Sequence, residues 1–417
     1  MSEWKEVKLG DVLLKITKGT TPPRGKGFVD NGINYIKSDA IGYDGRIDDS
    51  LFVSIDEETH EKFKRSQLEK DDILFSMAGV FLGKNAIVKE EHLPANTNQA
   101  LAIIRLNQDL AKPKFVSYYL RQPSVIEYVN NMSGQSAQPN INFQEISSID
   151  IPLPKIEEQE NVIEVLSGLD DKIDLLHRQN QTLEQMAETL FRQWFVEEES
   201  ELIPLGECVK TTSGGTPSRK RMDFYENGIY QWVKSKELNG GYILDTEEKI
   251  TEEALIKSST KLLPMNSVLI AMYGATVGQF AIIGQEATCN QAICACLPND
   301  DFPYTFIYHT IKANVDELKS RAVGSAQQNI SQVLIKSLEI NVNDNIERFH
   351  VEVDPMMKKI KANYTQIRTL TALRDTLLPK LMSGEVRVQS QRDETFVETK
   401  STTKPSSVGA AQKENHG

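Results

Sequence analysis

Apolar and polar positions along this chain follow two rhythms in turn, and the whole alternation occurs twice. Short runs such as "NYIKS", "DILFSMA" and "ALAIIRL" are rich in β-branched and aromatic residues and are cut by Gly, Pro and Asn, which predicts strands and turns. Residues 113–132 and 304–322 show apolar positions at helical spacing and predict one helix each. Then the texture changes. Residues 155–198 and 343–386 are helical in pattern throughout, with expected breaks at Gly168 and Pro355.

After those breaks a heptad seam appears. Leu169, Ile173, Leu176, Asn180, Leu183, Ala187, Leu190 and Trp194 follow an unbroken alternation of four- and three-residue steps. Adding 187 to each number gives Met356, Ile360, Asn363, Ile367, Leu370, Arg374, Leu377 and Leu381. Leu373 is expected to take over from the charged Arg374. Such seams want a partner helix, and the two helices are expected to pair with each other, Asn180 and Asn363 helping to set register. The second halves run about 26 residues, or about 40 Å at 1.5 Å per residue. That is close to one turn of B-DNA, about 34–36 Å.

The duplication is explicit in the residues. "LEKDDILFSMAGVFLGKNAIV" (68–88) aligns without gaps to "LPMNSVLIAMYGATVGQFAII" (263–283), with seven of 21 positions identical. "KLGDVLLKITKGTTPPR" (8–24) matches "PLGECVKTTSGGTPSR" (204–219), and "NGINYIKSDAI" (31–41) matches "NGIYQWVKSKEL" (227–238). "NTNQALAIIRL" (96–106) and "GQSAQPNINFQEISSIDIPLP" (134–154) likewise find "TCNQAICACL" (288–297) and "GSAQQNISQVLIKSLEINV" (324–342). A period near 190 residues is domain duplication, not a short-repeat solenoid. The expected segments are a globule at 1–155, a helical spacer at 156–200, a second globule at 201–343, a second spacer at 344–388 and a disordered tail at 389–417.

The stretch "MAGVFLGKNAI" has the look of a phosphate-binding loop. It has three residues between its glycines where a P-loop has four, and Asn85 follows Lys84 where Ser or Thr belongs. In the second copy the lysine is Gln279 while both glycines persist. A glycine turn between two strands explains both copies; nucleotide binding explains neither.

Composition adds limits. With 39% hydrophobic and 25% charged residues the chain is an ordinary soluble protein. No apolar run reaches a membrane span, and the charged N-terminus lacks a signal core, so a cytoplasmic location is expected. Four cysteines make no disulfide framework; Cys289, Cys294 and Cys296 read as buried strand thiols and match no zinc spacing. Net charge is −12, yet residues 156–200 hold three basic and 12 acidic side chains, a net of −9. The globules carry only −2 (19 basic, 21 acidic, residues 1–155) and −3 (13 basic, 16 acidic, residues 201–343), so either can present a basic face.

The order globule, long helix, globule, long helix resembles the DNA specificity subunit of Type I restriction–modification systems. The resemblance rests on the "GTTP/GGTP" loops (19–22, 214–217), the "IKS/VKS" strand ends (36–38, 233–235), the glycine-turn pairs, the "GQSAQPNI/GSAQQNI" elements and the ending "RDTLLPKLMSGEVRV". It implies an α+β fold with pseudo-two-fold symmetry: two similar α/β target recognition domains joined and spaced by two long antiparallel coiled-coil helices. It also implies a function, in which each domain reads one half of a split, asymmetric double-stranded DNA target. The helices would dock two methyltransferase subunits, and restriction or motor subunits would join through them. S-adenosylmethionine, ATP and Mg are then expected on those partners and no cofactor or metal on this chain. No adenine-methylase motif, complete Walker A or nucleophile elbow occurs, so a non-catalytic subunit is expected. The alternative is a recognition scaffold of another phage-defence or single-chain restriction–methylation system.

DNA contacts are expected from cations, hydroxyls and amides on the repeated loops. Candidates in the first domain are Lys18, Thr20, Thr21, Arg24, Lys37, Ser38, Lys84, Gln135, Ser136 and Gln138. In the second they are Ser213, Thr216, Ser218, Arg219, Lys220, Arg221, Lys234, Lys236, Tyr273, Gln279, Ser325, Gln327 and Gln328. "SRKRMD" (218–223) is the densest basic cluster.

Overall fold

The computed structural model describes residues 4–23, 26–79, 82–132, 139–322 and 329–388. The tail expected to be disordered lies outside them. The chain forms two compact units, Met1–Gly168 with Arg374–Gly417, and Leu169–Leu373.

In the first unit four strands form an antiparallel sheet in the order Leu13–Lys18, Leu101–Leu106, Ile73–Ser76, Asn85–Ile87. Successive side chains point to opposite faces. Ile73, Phe75, Ala102 and Ile104 pack with Val116, Leu120, Val125 and Val129 of the helical layer. Leu74, Ala86, Leu101 and Ile103 pack on the other face with Ile36, Ala40 and Ile41. Both faces are therefore covered, which is why "DILF" and "LAII" read as continuous apolar runs. A smaller sheet, Phe28–Val29, Val53–Ile55, Ile33–Ile36, Ala95–Thr97, lies on that second side.

The second unit repeats the plan. Its five-stranded sheet runs Lys210–Ser213, Ile293–Leu297, Val268–Ala271, Phe280–Ile283, Tyr242–Ile243, beside a three-stranded sheet of Lys249–Ile250, Tyr230–Val233 and Thr288–Cys289. Cys294 and Cys296 face the helical side with Val268 and Ile270, while Cys289 lies in the other cluster with Leu269 and Ala281. All four cysteines are buried thiols. Each globule closes on a pair of terminal strands: Lys5–Lys8 with Asp150–Leu153, and Glu201–Pro204 with Glu339–Val342.

The expected single helices are each two. Pro113–Leu120 is followed by Pro123–Met132, because proline bars helical geometry just before it and suits a first helical turn. Tyr304–Ala313 and Val315–Ser320 divide at Asn314, whose φ of −108° and ψ of 10° leave the helical range.

The expected breaks in the long helices do not occur. Ile156–Phe191 runs through Gly168 and Ile346–Met382 runs through Pro355. Glycine costs about 1 and proline about 3 kcal/mol relative to alanine inside a helix. Packing on either side of these residues outweighs that. In the first unit Val162 and Leu166 pack with Leu378, Leu381, Met382, Phe115 and Tyr118. In the second, Phe191, Phe195, Phe349, Val353 and Met357 share one cluster, and Pro355 sits at an exposed turn. A π-helical turn, Arg192–Glu197, ends the first long helix and buries Trp194 and Phe195.

Within each unit the helical segments pair antiparallel. In the second, Asn363 Nδ2 donates to Asn180 Oδ1 at 2.8 Å, and Asn343 Nδ2 donates to the Trp194 carbonyl at 2.7 Å. Ile173, Leu176, Ala187 and Ile360 are buried along the seam; Leu169, Leu183, Leu190, Met356, Ile367 and Leu370 are partly so. In the first unit Leu377 is half-buried and Leu381 buried. Leu373 does not replace Arg374: Leu373 is 45% exposed, and the Arg374 side chain is only 12% exposed. A guanidinium on a long apolar stem can line a seam and still place its charge beside a carboxylate, here Asp375 at 2.9 Å. Met357, Leu378 and Met382 are buried too, because each helix packs on its globule as well as on its partner.

Asn180 and Asn363 are 4% and 0% exposed, and Asn180 Nδ2 and Asn363 Oδ1 have no partner among the described residues. The pair therefore defines register at a cost in stability. Asn363→Leu alone strands the Asn180 carboxamide and should destabilise by about 1–3 kcal/mol in denaturant unfolding. The double change Asn180→Leu/Asn363→Leu should match or exceed the parent. Equal losses in the single and double variants would refute this assignment.

Candidate nucleic-acid interface

The repeated motifs, far apart in sequence, meet at one loop cluster in each unit. In the first, Gly19 N–H donates to Leu101 O at 3.2 Å and Thr20 N–H to Thr97 O at 2.9 Å. In the second, Gly214 N–H donates to Ile293 O at 3.3 Å and Gly215 N–H to Cys289 O at 2.9 Å. The approach is too close for a side chain: a Cβ on Gly19 would lie 2.1 Å from Asn98 O, and one on Gly214 2.2 Å from Cys289 O. A buried aromatic pins each loop from the neighbouring strand. Tyr35 Oη donates to Thr20 O and Trp232 Nε1 to Gly215 O, both at 3.0 Å. Burial pushes the Tyr35 phenol above its usual pKa, so it stays a donor.

Beneath the loop lies a tight turn at "NQA". The Asn98 carboxamide accepts from Ala100 N–H at 3.2 Å, and Asn290 accepts from Ala292 N–H at 3.1 Å. Met77 N–H then donates to Ala100 O, and Met272 N–H to Ala292 O, joining this turn to the glycine hairpin. Gly79, Gly83, Gly274 and Gly278 have φ of 76°, 84°, 72° and 77°, the left-handed region that favours glycine. The hairpin in turn bonds the extended segment after the "GQSAQ" and "GSAQ" stretches: Ile141 N–H to Met77 O at 3.0 Å, Ile330 N–H to Met272 O at 2.9 Å. Lys84 leads into a strand, Asn85–Ile87, where a phosphate-binding loop would lead into a helix. That geometry gives a phosphate-cradling loop no place.

Most candidate residues lie in or beside these clusters. Lys18 and Thr21 are exposed; Thr20 accepts from Arg65 at 3.5 Å. Lys37 lies 3.6 Å from Asp39, Ser38 opens a helical turn, and the Lys84 ammonium sits 4.7 Å from the Tyr43 ring centre. Arg24, Gln135, Ser136, Gln138, Ser325, Gln327 and Gln328 lie outside the described residues. In the second unit Ser218, Lys220, Tyr273 and Gln279 are exposed. Ser213 is tied to Gln332 at 3.1 Å, and the Thr216 hydroxyl donates to Gln291.

The basic cluster of the second unit is matched by acids, Asp223 within it and others distant in sequence. Arg219 pairs with Glu248 at 2.7 Å and stacks 4.3 Å from the Tyr225 ring centre and 4.9 Å from that of Trp232. Arg221 pairs with Asp223 and with Glu253 at 3.0 Å. Lys234 reaches Glu247 at 2.8 Å and Glu248 at 3.1 Å, and Lys236 reaches Glu247 at 2.7 Å. Hydrogen bonds from Lys234 and then Lys236 hold the Glu247 carboxyl down at about 2. Arg219 thus buttresses the Trp232–Gly215 contact while neutralised. Sequence reasoning missed Glu247, Glu248 and Glu253 and also the exposed Gln99 and Gln291 of the two "NQA" turns. Their doubled occurrence in otherwise divergent repeats was the available signal.

Among the described residues no cluster of three His, Cys, Asp or Glu could hold a metal, and no helix is long and apolar enough to cross a membrane.

A family model described as "Type I restriction modification DNA specificity domain" matches residues 1–185 and 197–344. The chain is similar to the Type I restriction enzyme MjaIX specificity subunit of Methanocaldococcus jannaschii, 27% identical over 339 residues, spanning 74% of this chain and 76% of the relative. It is also similar to the Type I restriction enzyme HindI specificity subunit of Haemophilus influenzae, at 23% identity over 93% of this chain and 100% of that one. Among solved structures, a Type-I restriction-modification system S subunit from M. genitalium superposes with a TM-score of 0.59 at 17% identity, over 91% of this chain and 96% of that one. That likeness is one of fold.

The glycines separate two kinds of constraint. Gly214→Ala forces a backbone clash and should abolish the folded second domain, seen as rapid limited proteolysis. Gly274→Ala meets nothing within 4 Å but keeps a φ of 72°, so it should destabilise by only about 1–2 kcal/mol. Equal protease resistance of the two variants would refute the close-approach assignment.

Proposed function

The chain belongs to the Type I restriction modification DNA specificity family, and from that premise we propose that it is the DNA-reading, non-catalytic subunit of a restriction–modification complex. Each domain reads one half of a split, asymmetric target in double-stranded DNA. The observation that carries this reading is the doubled loop cluster. One backbone scaffold recurs in both domains, while side chains at its rim are exchanged: Lys84 stands where Gln279 stands in the other copy. A shared frame with different exposed donors is what two readers of different sequences require. The helical spacers dock two methyltransferase subunits, which carry S-adenosylmethionine, and restriction subunits using ATP and Mg join through them.

Methylome sequencing of cells with and without the gene tests the reading directly. Replacing residues 1–155 by another such domain should change one half of the methylated motif and leave the other as it was. Simultaneous change in both halves would rule out independent reading.

The spacer helices are proposed to set the distance between half-sites. A four-residue insertion between Gln179 and Thr182 adds about 6 Å of helix. The half-sites should persist with a spacing altered by roughly two base pairs, at about 3.4 Å each. An unaltered motif at full activity would remove the helices from that role.

A further inference from the structure

Domains that read different bases still lie on the same sugar–phosphate backbone. Side chains that meet the backbone can be alike in both domains, whereas those that select different bases differ. The loop cluster sorts on this criterion. Gly19 and Gly214 are alike because the chains approach closely there, and Asn98 and Asn290 because each closes its own turn. Gln99 and Gln291 have no such duty: both side chains are exposed at the centre of an identical turn. Thr21 and Thr216 are likewise both exposed, and the Thr216 hydroxyl bonds Gln291, so the two positions share one place on the surface. The retained cations described beside them are already matched: Arg219, which stands where the first copy has Arg24, pairs with Glu248 at 2.7 Å. Lys37 lies 3.6 Å from Asp39, and Lys234, 17% exposed, is held by Glu247 and Glu248. Among the described residues, the retained exposed donors left without an acid are therefore uncharged. The hairpin rim, by contrast, exchanges Lys84 for Gln279.

We infer that Gln99 and Gln291, with Thr21 and Thr216 beside them, form an uncharged clamp on the DNA backbone that sets the register of each domain, base choice being made elsewhere on the rim. This rests on the DNA-reading function proposed above. The carboxamide N–H groups donate to phosphate oxygens, and at Gln291 the Thr216 hydroxyl, donating to the carboxamide oxygen, orients that group. Being neutral they displace no counterions, so the salt dependence of binding is not theirs.

The test uses the full chain. Selection from a random duplex pool defines its motif, and fluorescence anisotropy then measures binding to a selected and a scrambled duplex across a salt series. For Gln99→Ala/Gln291→Ala, affinity for both duplexes should fall by the same factor, about two- to tenfold per residue, with motif and salt slope unchanged. Gln99→Glu/Gln291→Glu keeps side-chain size at exposed positions and brings a carboxylate against phosphate. It should melt like the parent and lose more affinity, again equally on both duplexes. Relaxation of the motif at one position in each half-site would overturn the inference in favour of base reading. Parental affinity on both duplexes would overturn it outright. A parent chain that selects no motif would instead sink the DNA-reading function itself.

Discussion

Everything that can act in this protein is confined by the covering of its sheets on both faces. In each unit a central hairpin and its neighbouring strands bury one face under helices and the other under a smaller sheet. A polar side chain on those strands enters the core and needs a partner there, as Asn85 has in Ser117 at 2.8 Å; without one it costs a few kcal/mol. Chemistry is left to the strand ends, where glycine loops, the "NQA" turns and the hairpin rim converge. Interior and loop cluster are thus two results of one constraint: the strands fix where the turns emerge, and the turns fix which side chains reach solvent.

Much of this was legible in the residues. Alternation and glycine spacing revealed the hairpin "DILFSMAG…KNAI", and its second copy argued against a nucleotide-binding loop at Lys84. The seam from Ile173 to Trp194 was legible because a heptad pattern is a local record of a distant partner. Where the reading went astray, a local propensity lost to packing. Gly168 and Pro355 are poor helix residues yet sit inside continuous helices, because the apolar side chains around them are anchored. The reverse held at Pro123 and Asn314, where local backbone preference divided helices that periodicity alone had joined. Arg374 kept its seam position because its apolar stem fits there, a property that a binary apolar/polar pattern does not encode.

The candidate surface was legible as a set of loops and less so as chemistry. "SRKRMD" looked like a phosphate-binding patch, but its arginines spend their charge within the domain, on Glu248, Asp223 and Glu253. Besides the adjacent Asp223, acids 29 and 32 residues away in sequence decide what that cluster presents, and only the fold brings them close. The glutamines of the "NQA" turns were overlooked for the opposite reason: they are neutral and isolated, and gain meaning only when both copies place them at the same turn.

The cysteines have a use of their own. All four lie in the second unit, and none of the first unit's 1–168 contains one. Burial pushes the Cys289 thiol up to about 12, and Cys296 is raised as well, its first cause a hydrogen bond with Cys294. Thiolate is the reactive form and all four thiols are buried, so folding of the second unit slows their alkylation. Each opening of its sheet would expose thiols to labelling while the first unit contributes nothing. The native chain therefore carries a one-sided clock: labelling kinetics measure the local unfolding of one recognition domain in the presence of the other, without any engineered probe.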